Sequence, residues 1–363
     1  MRAVIARVPR LATECVAIDR AAGRVLAADV IAARALPGFD NSAMDGYAAR
    51  SADLPATVPV AGVIAAGQLD VPALAPGTAL RIFTGAPMPA GADTVVIQED
   101  AARDGDRVRL PASPPGDNLR VIGEDIATGE TALAAGTRLT AWDVGLLAAL
   151  GITELVVSRA PRVALIATGD ELVDVATPPR PGQLVDSSVH ALAALVAEAG
   201  GTADRLGIAR DDLASLADRL DASLGYDAVI TTGGVSVGDR DHVRAALTAA
   251  GISLELYKVA MKPGKPFSFG MRGGASPAPV FGLPGNPVST VVAFELFLRP
   301  ALLAMQRARA VRDGEQLIAT PHPKQGSAML SSLVGCNALI VVGAEVTELA
   351  PGAPAPAILM EAV

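Results

Sequence analysis

An α/β plus β fold, multidomain and built on a doubly wound sheet with two small β domains, is predicted by three features of this 363-residue sequence. From Arg162 onward, short apolar strands alternate with helical segments, the pattern of a parallel sheet covered on both faces. Between Val58 and Leu119, Pro and Gly crowd around short alternating or apolar runs, which marks a small β domain. Apolar residues make up 51% of the chain and aromatics only 3%, so the cores must be built from Ala, Val and Leu rather than rings. At roughly 100–200 residues per domain, such a length holds about two to four units.

In chain order, the opening stretch mixes Arg2, Arg7, Arg10, Glu14, Asp19, Arg20 and Arg24 with apolar positions, so no signal-peptide stretch is expected. The β region carries strand-like runs at Leu80–Phe83, Thr94–Gln98 and Arg107–Leu110. Thr140 can then cap a helix carrying Val144, Leu147 and Leu150, with Gly151 ending it. The β unit thus reads as an insertion between two halves of another domain. Predicted strands follow at Val163–Ala167, Ala203–Ile208, Ala228–Thr231, Ser253–Tyr257 and Val280–Leu283. Helices are expected from Asp186 or Ser187 to Gly200-Gly201, after Arg210-Asp211-Asp212, near Arg240, and from an Asn286 N-cap with Pro287 first, through Leu298. After Ala304 short segments return, including Gly326–Leu333 and Ala338–Val342, and suggest a C-terminal β domain. The expected divisions are 1–37 with 123–160 (N-terminal linker domain), 38–122 (inserted β domain), 161–303 (α/β domain) and 304–363 (C-terminal β domain).

Composition narrows the function. Acidic residues outnumber basic ones, 38 to 30, for a net charge of −8, which disfavours nucleic acid as a partner. Cys15 and Cys336 have no metal or disulfide spacing, and no run approaches the roughly 20 apolar residues of a membrane span. A soluble, cytoplasmic protein with no membrane partner is expected.

Five loops are expected at the carboxyl ends of the predicted strands, where open α/β sheets form their ligand crevice. Thr232 to Asp239, with Gly233, Gly234, Ser236 and Gly238, is glycine-rich between strand and helix, so its N–H groups can surround a phosphate; a plain tight turn is the alternative. Asn286-Pro287 offers a second helix start. Lys258, Lys262 and Lys265 are natural partners for compact dianions, or else surface charges. Asp170, Glu171, Asp211, Asp212, Asp239 and Asp241 would repel a phosphate unless a hard cation intervenes, although Asp211, Asp212 and Asp239 are also placed as helix caps. His190, His242 and His322 are isolated, and there is no Ser/His/Asp set, GxGxxG or Walker loop.

Several segments resemble the MoeA/gephyrin family of molybdopterin molybdenumtransferases across most of the chain: Phe39 to Ala48, Arg81 to Ala86, Gly123-Glu124-Asp125, Thr168 to Leu172, Gly233 to Asp239, Lys262 to Pro266, Leu283 to Pro287 and Gly326 to Leu333. The resemblance implies an elongated four-domain homodimer whose linker domain also dimerises and whose doubly wound domain binds molybdopterin. It implies that molybdate and adenylated molybdopterin react, with Mg²⁺, to give molybdenum cofactor and AMP. Implied catalytic positions are Asp45, Thr84, Asp125, Glu171, Asp241, Lys258 and Lys262, with Glu171 and Asp241 on the metal. Substrate-binding positions are Thr168, Gly169, Asp170, Asp211, Asp212, Gly233, Gly234, Ser236, Gly238, Asp239, Lys265, Pro284, Gly285, Asn286 and Pro287. Asp45, Thr84 and Asp125 lie outside the α/β domain, so the resemblance implies a site completed by the partner subunit, with molybdopterin adenylyltransferase as upstream partner. Alternatives are that adenylyltransferase itself, which shares the α/β domain, or a gephyrin-like scaffold without catalysis.

Overall fold

The computed structural model describes residues 2–233, 247–257, 259, 266–274, 277–306, 338–340, 350, 353 and 357–359. The chain divides into two compact units: Met1–Ala28, Ala134–Val144 and Thr153–Gln316 form one, and Asp29–Leu133, Gly145–Ile152 and Leu317–Val363 the other.

The first unit is dominated by a six-stranded sheet. Its strands are β1 (Arg162–Thr168), β2 (Thr202–Ala209), β3 (Ala228–Thr232), β4 (Ile252–Tyr257), β5 (Ser268–Arg272) and β6 (Ala278–Leu283), in the order β2-β1-β3-β6-β5-β4. β2, β1, β3 and β6 run parallel. The central strands are buried along nearly their whole length, as strands covered on both faces must be. Alternation then sorts the side chains of β1. Val163, Leu165 and Ala167 join one core with Leu192 and Val196 of helix α1 (Ser188–Glu198) and Phe294, Leu298 and Leu302 of helix α3 (Pro287–Met305). Ala164 and Ile166 join another with Leu216 and Leu220 of helix α2 (Leu213–Ala222). Helices on both faces make the sheet doubly wound, as the sequence predicts.

Two elements differ from expectation. β5 is a strand that the sequence does not predict, and it runs antiparallel to both neighbours. The sheet is therefore mixed rather than wholly parallel, and β4 lies at an edge separated from the other parallel strands by β5. The last helix does not end at Leu298. It continues to Met305 through a π-helical turn over Phe294–Leu298, which accommodates Pro300, a residue with no N–H to offer the preceding turn.

That longer helix also corrects the sequence expectation about apolar runs. Pro287–Met305 is 19 residues with a mean hydropathy of 1.6, enough by length and composition for a membrane span, yet 44% of it is buried inside the protein. Its Glu295 and Arg299 are joined side chain to side chain at 2.6 Å, and Arg299 also reaches Glu198 at 3.0 Å. Its apolar stripe is the main core of the sheet, and it serves as a core helix.

Capping follows the sequence closely. Asp212 Oδ1 accepts the Ser215 N–H at 2.7 Å, and Asn286 Oδ1 accepts the Val288 N–H at 3.1 Å with Pro287 as first helical residue. At α1 the bond to Val189 N–H, at 3.3 Å, comes from Asp186 rather than Ser187. Thr140 and Asp143 bond reciprocally at the start of the Ala141–Ala149 helix, and Gly151 follows it at positive φ.

The second unit contains another six-stranded sheet, in the order Thr94–Ile97, Gly46–Ala49, Ala79–Ile82, Ala56–Ile64, Arg107–Leu110 and Ala102–Asp104. Two small cores pack against it, one around Tyr47, Val58 and Val108, the other around Ile64, Leu80 and Ile82. Ala338–Ile340 pairs antiparallel with Ala357–Leu359; the expected Gly326–Leu333 segment lies outside the described residues.

Candidate active site

Parallel strands end on the same side of a sheet, and here the register shows which ends are neighbours. Thr168 is opposite Ala209, Ala167 is opposite Thr232, and Thr232 is opposite Leu283. The ends of these strands and the described residues just beyond them are tied to one another. Gly169 N–H donates to Ala209 O at 3.1 Å and Gly233 N–H to Leu283 O at 3.1 Å. Thr168 Oγ1 donates to Thr232 O at 3.0 Å, and Asp211 N–H donates to Asp170 Oδ1 at 3.2 Å. A Cβ on Gly233, which sits at positive φ, would stand 2.4 Å from Thr168 O and 2.9 Å from Thr168 Oγ1, whereas one on Gly285 would make only ordinary contact, 3.5 Å from Gly233 Cα. At Gly233, glycine is what lets the two strand ends approach.

The edge strand β4 contributes to this rim as well. Tyr257 pairs with Ser268 and Ser268 with Gly282, so two reversals restore the polarity and the chain leaves β4 on the side where β6 ends. The expected fifth loop therefore starts at the rim, although its position depends on an antiparallel β5.

Along the rim, Thr168, Gly169, Asp170, Glu171, Asp211, Asp212, Gly233, Pro284, Gly285, Asn286 and Pro287 are brought together. Asp212 and Asn286 are occupied as helix caps, and the Pro284 carbonyl accepts from Thr290 Oγ1 at 2.6 Å. Asp170 is engaged through both its side chain and its carbonyl, the latter accepting from Arg210 Nη1 at 3.0 Å. Arg210 is not among the site residues the sequence suggests; its place directly after a parallel strand is the signal that points to it.

Glu171 is exposed, and its carboxylate has no hydrogen-bond or ion-pair partner among the described residues. It folds back over Gly169, where a Cβ would lie 2.6 Å from Oε2 and 2.9 Å from Oε1. An unpaired hard-oxygen donor seated in a cradle that any side chain would fill fits Mg²⁺, which typically takes one or two carboxylates and completes its shell with water and substrate oxygens. Among the described residues no three His, Cys, Asp or Glu converge on a point, so a closed protein cage of the zinc or calcium kind is not built from them.

In the second unit, Asp45 Oδ1 accepts both the Thr84 N–H at 2.7 Å and the Thr84 hydroxyl at 2.8 Å. The backbone N–H, then the hydroxyl, hold the Asp45 carboxyl below its ordinary value, with a smaller contribution from Arg81. Arg81 lies over the Tyr47 and Phe83 rings, 5.0 and 5.1 Å from their centroids. Asp125 is buried, and its N–H donates to Leu36 O at 2.9 Å. His190 stands beside Arg205 Nη1, at 2.7 Å from Nδ1. Gly234, Ser236, Gly238, Asp239, Asp241, Lys258, Lys262 and Lys265, with His242 and His322, lie outside the described residues.

Comparison with known proteins assigns the chain to a family. Residues 1–151 match the MoeA N-terminal region (domain I and II), residues 164–304 the probable molybdopterin binding domain, and residues 290–360 the MoeA C-terminal region (domain IV). The chain is 39% identical to molybdopterin molybdenumtransferase 2 of Mycobacterium tuberculosis, over 93% of its own length and 92% of that protein. It is 41% identical to the molybdopterin molybdenumtransferase of a Nostoc species, over 80% and 69% of the two chains. A crystal structure of the molybdopterin biosynthesis MoeA protein from Pyrococcus horikoshii superposes with a TM-score of 0.73 at 29% identity, covering 95% of this chain and 94% of that one. With its regions matched in order along most of its length, the chain belongs to the MoeA family of molybdopterin molybdenumtransferases.

Proposed function

We propose that this chain transfers molybdenum from molybdate into adenylated molybdopterin at the rim of its α/β domain, releasing AMP with Mg²⁺ bound at Glu171. The chain is a transferase of molybdenum cofactor biosynthesis by family membership; the form of the substrate, the ion and the residue roles are the proposal. The observation that carries it is the set of four neighbouring strand ends tied along one sheet edge, with Gly233 at a close backbone approach and a Glu171 carboxylate that has no partner among the described residues.

The chemistry follows from these groups. The start of α3, with Asn286 holding its first turn, presents N–H groups and the positive end of a helix dipole to an anion. Gly233 and Gly285 admit a phosphate close to the backbone. Glu171, with Asp241, would hold Mg²⁺, which when bound supplies charge neutralisation of the phosphate oxygens. Lys258, Lys262 and Lys265 would offer ammonium groups to molybdate and phosphate. An oxygen of molybdate or water then attacks the pterin-side phosphorus and the phosphoanhydride bond breaks with AMP leaving; the two dithiolene thiols bind molybdenum as Mo–O bonds break, their protons leaving with the displaced oxygen as water.

Asp45, Thr84 and Asp125 belong to the other unit. The proposal places them at the rim of a partner subunit, so that each subunit of a homodimer completes the other's site. The same reading gives a cytoplasmic enzyme supplied by molybdopterin adenylyltransferase. Purified protein, incubated with adenylated molybdopterin, Mg²⁺ and molybdate, is expected to release AMP and yield molybdenum-loaded pterin. ATP consumption with free molybdopterin in the absence of molybdate would instead indicate the adenylyltransferase.

A further inference from the structure

We propose that Arg210 is a positioning residue for Glu171, holding the peptide that precedes it so that the carboxylate is presented to a divalent cation. The proposal rests on the reading that Glu171 holds Mg²⁺, and it adds a residue which that reading does not use.

Glu171 sits between two peptide units, and each is held from outside its own turn. The one before it is fixed by Arg210, whose Nη1 donates to Asp170 O at 3.0 Å. The one after it is fixed by Leu184, whose N–H donates to Glu171 O at 2.8 Å. Arg210 is in turn seated by its own N–H, which donates to Ser215 Oγ at 3.0 Å. Ser215 belongs to the first turn of α2, the helix capped by Asp212. The neighbouring Asp211 N–H takes the Asp170 carboxylate at 3.2 Å. The backbone that aims Glu171 is therefore referenced to a core-packed helix through the Arg210 guanidinium, which holds the Asp170 carbonyl, and through the Asp211 N–H, which holds the Asp170 side chain.

The choice of acceptor is informative. Arg210 is exposed on a rim carrying Asp170, Glu171, Asp211 and Asp212, yet it makes no ion pair among the described residues. Its charge leaves Glu171 open to another cation while its donor holds the adjoining carbonyl. Partners that orient a metal ligand without touching the metal typically govern affinity by about tenfold or more.

The charge and positioning roles predict opposite signs. An arginine acting only as a nearby positive charge repels a divalent cation, so removing it would tighten cation binding. An arginine acting through Asp170 must weaken binding when removed. The test is Mn²⁺ binding to the full chain with AMP present, read by electron paramagnetic resonance, on wild type, Arg210→Ala, Arg210→Lys and Glu171→Gln. Wild type is expected to bind, Glu171→Gln to lose binding, and Arg210→Ala to bind about tenfold more weakly. Arg210→Lys, which retains charge and one donor, should recover part of the loss; it also serves as the readout should the alanine variant fail to fold. Equal or tighter binding by both Arg210 variants overturns the proposal and leaves the function of the rim intact. Wild-type binding that Glu171→Gln does not alter, or no wild-type binding, removes Glu171 from the metal and defeats both.

Discussion

The carboxylate of Glu171 lies over the α-carbon of Gly169, so near that a Cβ there would stand 2.6 Å from Oε2. Gly169 also has a φ of +149°, a region essentially reserved for glycine. Gly169→Ala must therefore move Glu171, twist the turn, or both. Molybdenum insertion should fall about 100-fold, since an ångström of misplacement can cost that much, while the sheet beneath persists by circular dichroism. Undiminished turnover would remove Glu171 from the mechanism.

Asp45 is held below its ordinary value of 3.8 first by the Thr84 N–H and then by the Thr84 hydroxyl. A depressed folded-state pKa means that the two bonds contribute in full above the unfolded value and are lost as the pH falls through the lower, folded one. The window is thus below about pH 4. Thr84→Val removes the hydroxyl and leaves the N–H, so the Asp45 carboxyl should titrate at a higher pH than in wild type. A carbon-detected NMR titration measures this directly, and an unchanged midpoint would count against the contact.

Asp227 joins the approach to β1 with the start of β3. Its two oxygens take Arg159 Nη1 at 2.8 Å and Nη2 at 2.6 Å, and Oδ2 also takes the Arg162 N–H at 2.7 Å. Arg159 is raised above its ordinary value first by this bond. Asp227→Asn keeps the shape and loses the charge-assisted fork, at a cost of about 1–3 kcal/mol. Urea denaturation should show the loss in the α/β unit; a midpoint equal to wild type would mean that the partly exposed pair is screened.

Arg272 is a buried guanidinium with no carboxylate partner among the described residues. Nη1 donates to Ser223 O at 3.1 Å and Ser223 Oγ at 3.0 Å, just beyond the end of α2, and burial pushes its pKa down. A cation there meets the negative end of the helix dipole. Arg272→Met fills similar space but leaves the Ser223 carbonyl without that donor, and should cost about 1–3 kcal/mol by the same denaturation assay.

Much of this arrangement was legible in the residues. The five predicted α/β strands are present because continuous apolar runs bounded by glycine and caps leave few other solutions, and Asp212 and Asn286 cap helices where their spacing places them. β5 was missed because Phe267 to Arg272 follows a Pro- and Gly-rich stretch and has no helix before it, so a hairpin return looked like more loop. Helix α3 was cut short at the charged pair Glu295 and Arg299 and at Pro300, whose effect on the helix is a π turn rather than a stop. At the site, the turns could be placed because polarity alone brings parallel strand ends together. The Asp45–Thr84 bond could not, since it joins residues 39 apart across strands of a β sheet, where no periodicity signals contact. The position of Arg210 just after a parallel strand marks it as a rim residue, but its partner is not legible, for the bond goes to a carbonyl and not to another side chain.

The central claim is that Glu171, set in the laced rim, acts in the transfer of molybdenum. The direct measurement is molybdate-dependent AMP release from adenylated molybdopterin by wild type and by Glu171→Gln, with substrate binding followed in parallel. Wild type should release AMP and load the pterin, while the variant keeps its fold, still binds the adenylated pterin and releases almost no AMP. Full AMP release and metal loading by Glu171→Gln would contradict the account.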